Sequence, residues 1–175
     1  LEASISTITV HGLSVLDVTV SNLEVSYNST SVVDGVNLNW SAVTETSVSL
    51  LSTDQISVSG GLTLNVASVL LVASQFEIAQ QSVSGIDDPD DEGVLTLAGD
   101  LLTIDLSSAS LFAGVGATLN TNDSTLTVGP GAIGFEASGA ELNLAMLKTD
   151  DGRTYTGLEA SISTITVHGL SVLDV

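Results

Sequence analysis

The chain has 175 residues, with 21 Asp and Glu against 2 Lys and Arg, a formal net charge of −19 and no cysteine. Hydrophobic residues make up 43% and mean hydropathy is +0.47, enough apolar material for a core, so the charge does not imply disorder. That charge excludes nucleic acid as a partner, because phosphate neutralisation needs Lys and Arg, and the apolar runs, about Val69–Ala73, are far below the roughly 18 residues of a membrane-spanning helix.

The first element in chain order is also the last. Residues Leu1–Val18 read LEASISTITVHGLSVLDV, and Leu158–Val175 read the same eighteen residues again. An identity of that length defines a period of 157 residues, so the chain is expected to be one full tandem repeat, 1–157, followed by the start of the next, 158–175. Each period carries 19 acids and 2 bases, a net charge of −17. Repeated along an array, such charge repels itself and keeps the array extended and soluble where salt or divalent cations screen it.

Within the period a small residue or His, then Gly, then alternating aliphatics recurs at Gly12, Gly60, Gly99 and Gly139, and again at Gly169. The spacings are 48, 39, 40 and 30 residues, which suggests four degenerate sub-repeats of about forty residues. Strand signals follow in order. A slip in the alternation falls at Val15–Leu16, after which Leu23, Val25 and Tyr27 alternate up to a turn at Asn28–Ser29. Asp34–Gly35 marks another turn, and Val36, Leu38 and Trp40 alternate beyond it. Gly60–Gly61 reads as a turn. Asn65–Gln81 fits a helix on periodicity alone, but its place at a sub-repeat start favours a strand. Leu101 and Thr103 alternate, then Ile104 and Leu106 after a one-residue slip that suggests a bulge. Asn120–Asp123, Gly129–Pro130–Gly131 and Asp151–Gly152 are further turn signals.

The fold class expected is all-β, a β-solenoid-like stack with aliphatic ladders inside and acids gathered in turns outside. Aromatics are only 3%, which suits narrow coils and argues against a sandwich anchored on Trp or Tyr and against a membrane barrel with aromatic girdles.

Among candidate sites, Gly85–Gly93 is the densest. Asp88, Asp90, Glu92 and Gly93 reproduce the opening of a calcium loop, in which alternate oxygens face the ion and Gly permits the turn. The twelfth position, which should hold a bidentate Glu, is Gly99; the rival reading is a solvated acidic loop. Calcium at Asp88, Asp90 and Glu92 is the only cofactor expected. Asp150, Asp151 and Gly152, flanked by Lys148 and Arg153, read as a turn with local charge pairing. His11 and its copy His168 have no ligand or acid–base partner at a fixed spacing and read as structural. Serines lack a G-x-S-x-G elbow, and Gly114–Val115–Gly116 stands without the later glycine of a dinucleotide loop. No enzyme is expected.

The stretches GVGATLNTNDSTLTVGPGAIGFEASGAELNLAMLK, RTYTGLEASI and LDVTVSNLEVSYNS resemble repeats of giant bacterial surface or secreted tandem-repeat proteins, which are long, acidic, cysteine-free and adhesin-like. The resemblance implies an extracellular or cell-surface stalk or filament whose partners are neighbouring repeats or identical chains, and it assigns no ligand and no functional residue. Two other readings stay open: a calcium-binding stalk module rigidified by its acidic loops, and a hydrophobic groove or tube that carries apolar ligands.

Overall fold

The structure is a computed structural model and describes residues 1–10, 15–32, 35–90 and 96–169. The chain is all-β. Seven strands, β1 (Glu2–Val10), β2 (Leu16–Tyr27), β3 (Asp54–Val66), β4 (Leu70–Asp87), β5 (Thr96–Asn120), β6 (Thr125–Thr149) and β7 (Thr154–His168), form one open sheet. The strands run antiparallel in the order β1-β2-β3-β4-β5-β6-β7, each paired with its neighbours in sequence. One 3-10 turn at Trp40–Ala42 is the only helical element among the described residues, so none of their helices is long and apolar enough to cross a membrane.

Runs of Val, Ile, Leu, Thr and Ser with period-two alternation account for the strands, and short connections account for the meander. Asn65–Gln81 is strand, interrupted by a β3–β4 turn in which Ala67 and Ser68 both adopt left-handed φ, 50° and 58°. Asn65 Oδ1 accepts from Ser68 N at 2.9 Å and supports that turn without a glycine. At the β5–β6 turn Asn120 does similar work, its Oδ1 accepting from Asn122 N at 3.0 Å and its Nδ2 donating to Asp123 Oδ2 at 2.8 Å. The β6–β7 turn is closed by Thr149 N donating to Arg153 O at 2.9 Å.

A crease crosses the whole sheet. Asn22, Ser108 and Gly139 have φ of 50°, 53° and 62°, and the register slips at Ser21/Glu24, Ala73/Gln75 and Leu106/Ala109. Pairing places these irregularities in one row: Thr7 opposite Ser21, Ser21 opposite Gly61, Gly61 opposite Gln75, Gln75 opposite Ser107, and, past the slip, Ala109 opposite Ala140 and Ala140 opposite Ile162. Bulges aligned in this way bend the strands that carry them at one level and increase their twist.

The long hairpin of β5 and β6 folds back over this crease. Its bend lies where residues 129–132 of β6 stand opposite Gly116, between the pairs Val115–Ile133 and Ala117–Val128. Gly116 has φ of 98°, and a Cβ there would lie 2.8 Å from Ala132 Cα, so the bend needs glycine on both counts. The hairpin tip then reaches the sheet: Ser124 Oγ meets Ser21 Oγ at 2.8 Å, Asn22 Nδ2 donates to Asn122 O at 3.1 Å, and Gln75 Nε2 to Asp123 O at 3.4 Å. The buried residues include Leu71, Ala73, Phe112 and Ala132 together with Ser21, Thr63, Ser74 and Ser124. This core is small and partly polar, and aliphatics of the outer strands such as Ile5, Ile8, Ile162 and Ile165 stay exposed.

The acids are not confined to turns. Asp17, Glu24, Glu77, Asp105, Glu136 and Glu141 sit within strands, because an open sheet keeps a solvated face on which alternate side chains accept charge. The segment between β2 and β3 is not a strand at Val36–Trp40. It is gathered around the buried Asn28, whose Nδ2 donates to Leu38 O at 3.0 Å and Leu51 O at 2.9 Å, while its Oδ1 accepts from Trp40 Nε1 at 3.0 Å. Asn28, the first residue of an Asn28–Ser29–Thr30 sequence of the glycosylation type, is therefore engaged inside the fold.

Candidate functional site

The densest set of charged side chains among the described residues centres on Arg153. Three elements converge there: the end of β4, which leads into Asp88 and Asp90; the start of β5, where Thr96 pairs with Asp87 and Gly99 with Thr149; and the β6–β7 turn that carries Asp151 and Arg153. Arg153 grips Asp88 with both terminal nitrogens, Nη1 to Oδ1 at 3.0 Å and Nη2 to Oδ2 at 2.7 Å. Its Nη1 reaches Asp90 Oδ2 at 3.3 Å and its Nε reaches Asp151 Oδ2 at 2.8 Å. The planar fork of a guanidinium suits this two-point grip.

Asp88 is buried, with its side chain 4% exposed, whereas Asp90 is 75% exposed. Asp90 N also donates to Asp88 Oδ1 at 3.0 Å. Hydrogen bonding from Arg153 holds the Asp88 carboxyl below the usual carboxylate range, with help from the Asp90 amide. Arg153 and then the Thr149 hydroxyl bring Asp151 down to about 2. The guanidinium itself is pushed up by Asp88 first and Asp151 second. Below it lies Tyr155, its ring centroid 5.8 Å from Arg153 Cζ, and burial raises the Tyr155 hydroxyl.

Of the carboxylates expected to hold calcium, Asp88 and Asp90 are thus joined by a guanidinium, and Glu92 lies outside the described residues. An ion entering between Asp88 and Asp90 would have to displace Arg153. The pairing around Arg153 extends beyond its own turn, to a residue 65 positions earlier. Of the two histidines, His168 ends β7 with its Nε2 at 2.7 Å from Glu136 Oε2 and its ring 6.1 Å from that of Phe112, and His11 lies outside the described residues. The cleft between the sheet and the folded-back hairpin is lined chiefly by polar side chains, among them Asp17, Thr19, Thr63, Asn65, Thr118 and Thr121.

Chemically the Arg153 cluster is a clamp that ties the β4 end to the β6–β7 turn across the start of β5. Asp88 and Asp151 have folded-state pKa values below their unfolded value of about 3.9. The stability they contribute is therefore complete above about pH 4 and is lost as pH falls toward 2. The expected result for Arg153→Gln is a Tm below that of the parent at pH 7, with the gap closing between pH 4 and pH 2, as followed by circular dichroism. A gap constant across that range would show that the carboxylates do not depend on Arg153.

No family model, curated protein or solved structure matches the chain.

Proposed function

We propose that the chain is a structural, non-catalytic segment of an extracellular tandem-repeat stalk or filament, lengthened by identical periods joined head to tail and serving adhesion or contact between cells. One observation carries this: the two strands at the edges of the open sheet contain the same nine residues, EASISTITV, as Glu2–Val10 and as Glu159–Val167. A unit whose two ends share one sequence is continued by a copy of itself, and an interface that does not close on itself gives an open-ended polymer. Strands stacked across the long axis, solenoid-like and grouped in degenerate units of about forty residues, belong to the same proposal. The net charge of −17 per period favours extension over collapse.

Negative-stain microscopy of chains built with two, four and eight periods tests the proposal. Rods of constant width whose length rises in proportion to the number of periods are expected. Compact particles, or beads on a bending string, would overturn it.

A further inference from the structure

The two edge strands hold their neighbours on opposite sides. Just ahead of β1, Leu1 and Tyr27 exchange both backbone hydrogen bonds, Leu1 N to Tyr27 O and Tyr27 N to Leu1 O, each at 2.7 Å. The register runs unbroken from there through Ala3–Val25 and Ile5–Leu23. Hydrogen bonding alternates along an antiparallel pair, so the backbone groups of Leu1, Ala3 and Ile5 point to β2. In β7, Arg153 O accepts from Thr149 N, and the register runs unbroken through Tyr155–Leu147, Gly157–Ala145, Glu159–Asn143 and Ser161–Glu141. Those residues point to β6. The backbone groups of Leu158, Ala160 and Ile162 therefore face outward from the edge, and these are the residues that correspond, 157 positions on, to Leu1, Ala3 and Ile5.

The side chains and the crease agree. On one side the duplicated strand sets Leu158, Ala160 and Ile162 opposite Leu144, Leu142 and Ala140. On the other side its twin sets Leu1, Ala3 and Ile5 opposite Tyr27, Val25 and Leu23. Asn22, with φ of 50°, falls between the partners of Ile5 and Thr7, which puts it opposite Ser6; Gly139, with φ of 62°, falls between the partners of Ile162 and Thr164, opposite Ser163. Ser6 and Ser163 are the same residue of the period, so the crease meets the strand at one level from either side. The exposure of Leu158 (67%) and Ile162 (56%) marks an apolar edge left open.

We propose that the strand Leu158–His168 is shared: it keeps β6 of its own period on one edge and takes the next period's copy of β2 on the other. Resting on the reading of the chain as a tandem segment, this makes the array one continuous antiparallel sheet of six strands per period, with an axial rise of about 29 Å at roughly 4.8 Å per strand. Its partner is a further copy of the same sequence, recognised by backbone hydrogen bonds and by the aliphatic ladders that the join extends.

Amide hydrogen exchange, followed by NMR on this chain and on a chain with the 1–157 period duplicated, tests it without any substitution. In this chain Ala160 and Ile162 should exchange freely while Glu159 and Ser161 are protected, and Ala3 and Ile5 should be protected. In the two-period chain the internal copy of the strand should protect both sets, slowing Ala160 and Ile162 on the order of 100-fold, and scattering should show a particle longer by about 29 Å. Protection of one set alone in the internal copy overturns the shared strand. If the particle is then still a lengthened rod, the stalk reading stands; if it is compact, that reading falls too. Protection of Ala160 and Ile162 in the single-period monomer would also overturn the proposal, since the edge would not be open.

Discussion

Phe112→Ala is expected to destabilise the fold by about 3–5 kcal/mol, measured by urea denaturation. Phe112 is fully buried on β5, with Leu71 paired to it on one side and Glu136 on the other, and it is the largest of the buried side chains, the rest being Leu, Ala, Ser, Thr, Asn28 and Asp88. With so few large groups, neighbouring side chains cannot collapse into the space, and the loss is a large part of a total of about 5–15 kcal/mol. Phe135 supplies the control. It is 60% exposed on β6, so Phe135→Ala should change stability by about 0.5 kcal/mol or less. Equal effects at the two positions would mean that the folded-back hairpin does not pack as described.

Gly61→Val is expected to cost about 1–3 kcal/mol through overpacking and to lift the β5–β6 tip from the sheet. A Cβ at Gly61 would lie within 3 Å of Ser124 Oγ and Cβ and of Ser21 Oγ. The hairpin tip and the backbone of β3 are therefore in contact only because position 61 has no side chain. Loss of the buried Ser21–Ser124 hydrogen bond adds to the effect. Amide exchange should quicken at residues 121–124 while the β3–β4 ladder keeps its protection. Gly157→Ala, where nothing lies within 4 Å, should be neutral to within about 0.5 kcal/mol. A neutral Gly61→Val would show that the tip does not rest on β3.

The glycines show how far the fold could be read from the residues. All-β character was legible, and Leu23, Val25 and Tyr27 do lie on β2. Gly60–Gly61 and Gly129–Pro130–Gly131 carry turn chemistry but sit inside β3 and β6, because glycine there permits a close approach or a bend, not a reversal. The β3–β4 turn escaped notice for the opposite reason: Ala67 and Ser68 take up left-handed backbone angles without Gly or Asn at either position. The slip expected between Thr103 and Ile104 is absent, both residues continuing one register against Ala145 and Leu144; the bulge lies at Leu106/Ala109. Val36, Leu38 and Trp40 alternate as a strand would, yet the buried Asn28 gathers them into a loop.

At the candidate site both halves of the Arg153 cluster were visible as acidic segments, but not their meeting. Asp88 and Arg153 are 65 residues apart. Only the pairing of β4 with β5 and β5 with β6 brings them to the same end of the sheet, and no local spacing encodes that.

The meander order has one more consequence for an array joined by shared strands. Adjacent strands in a sheet are rotated by roughly 20–25° with a fixed hand, so six of them would turn successive periods by about 120–150°. The stalk would be a screw: the loop held by Asn28 would wind around the axis and return to the same side every two to three periods, on the order of 60–90 Å. A partner that gripped that loop along one straight line would meet it at this pitch, not at every period.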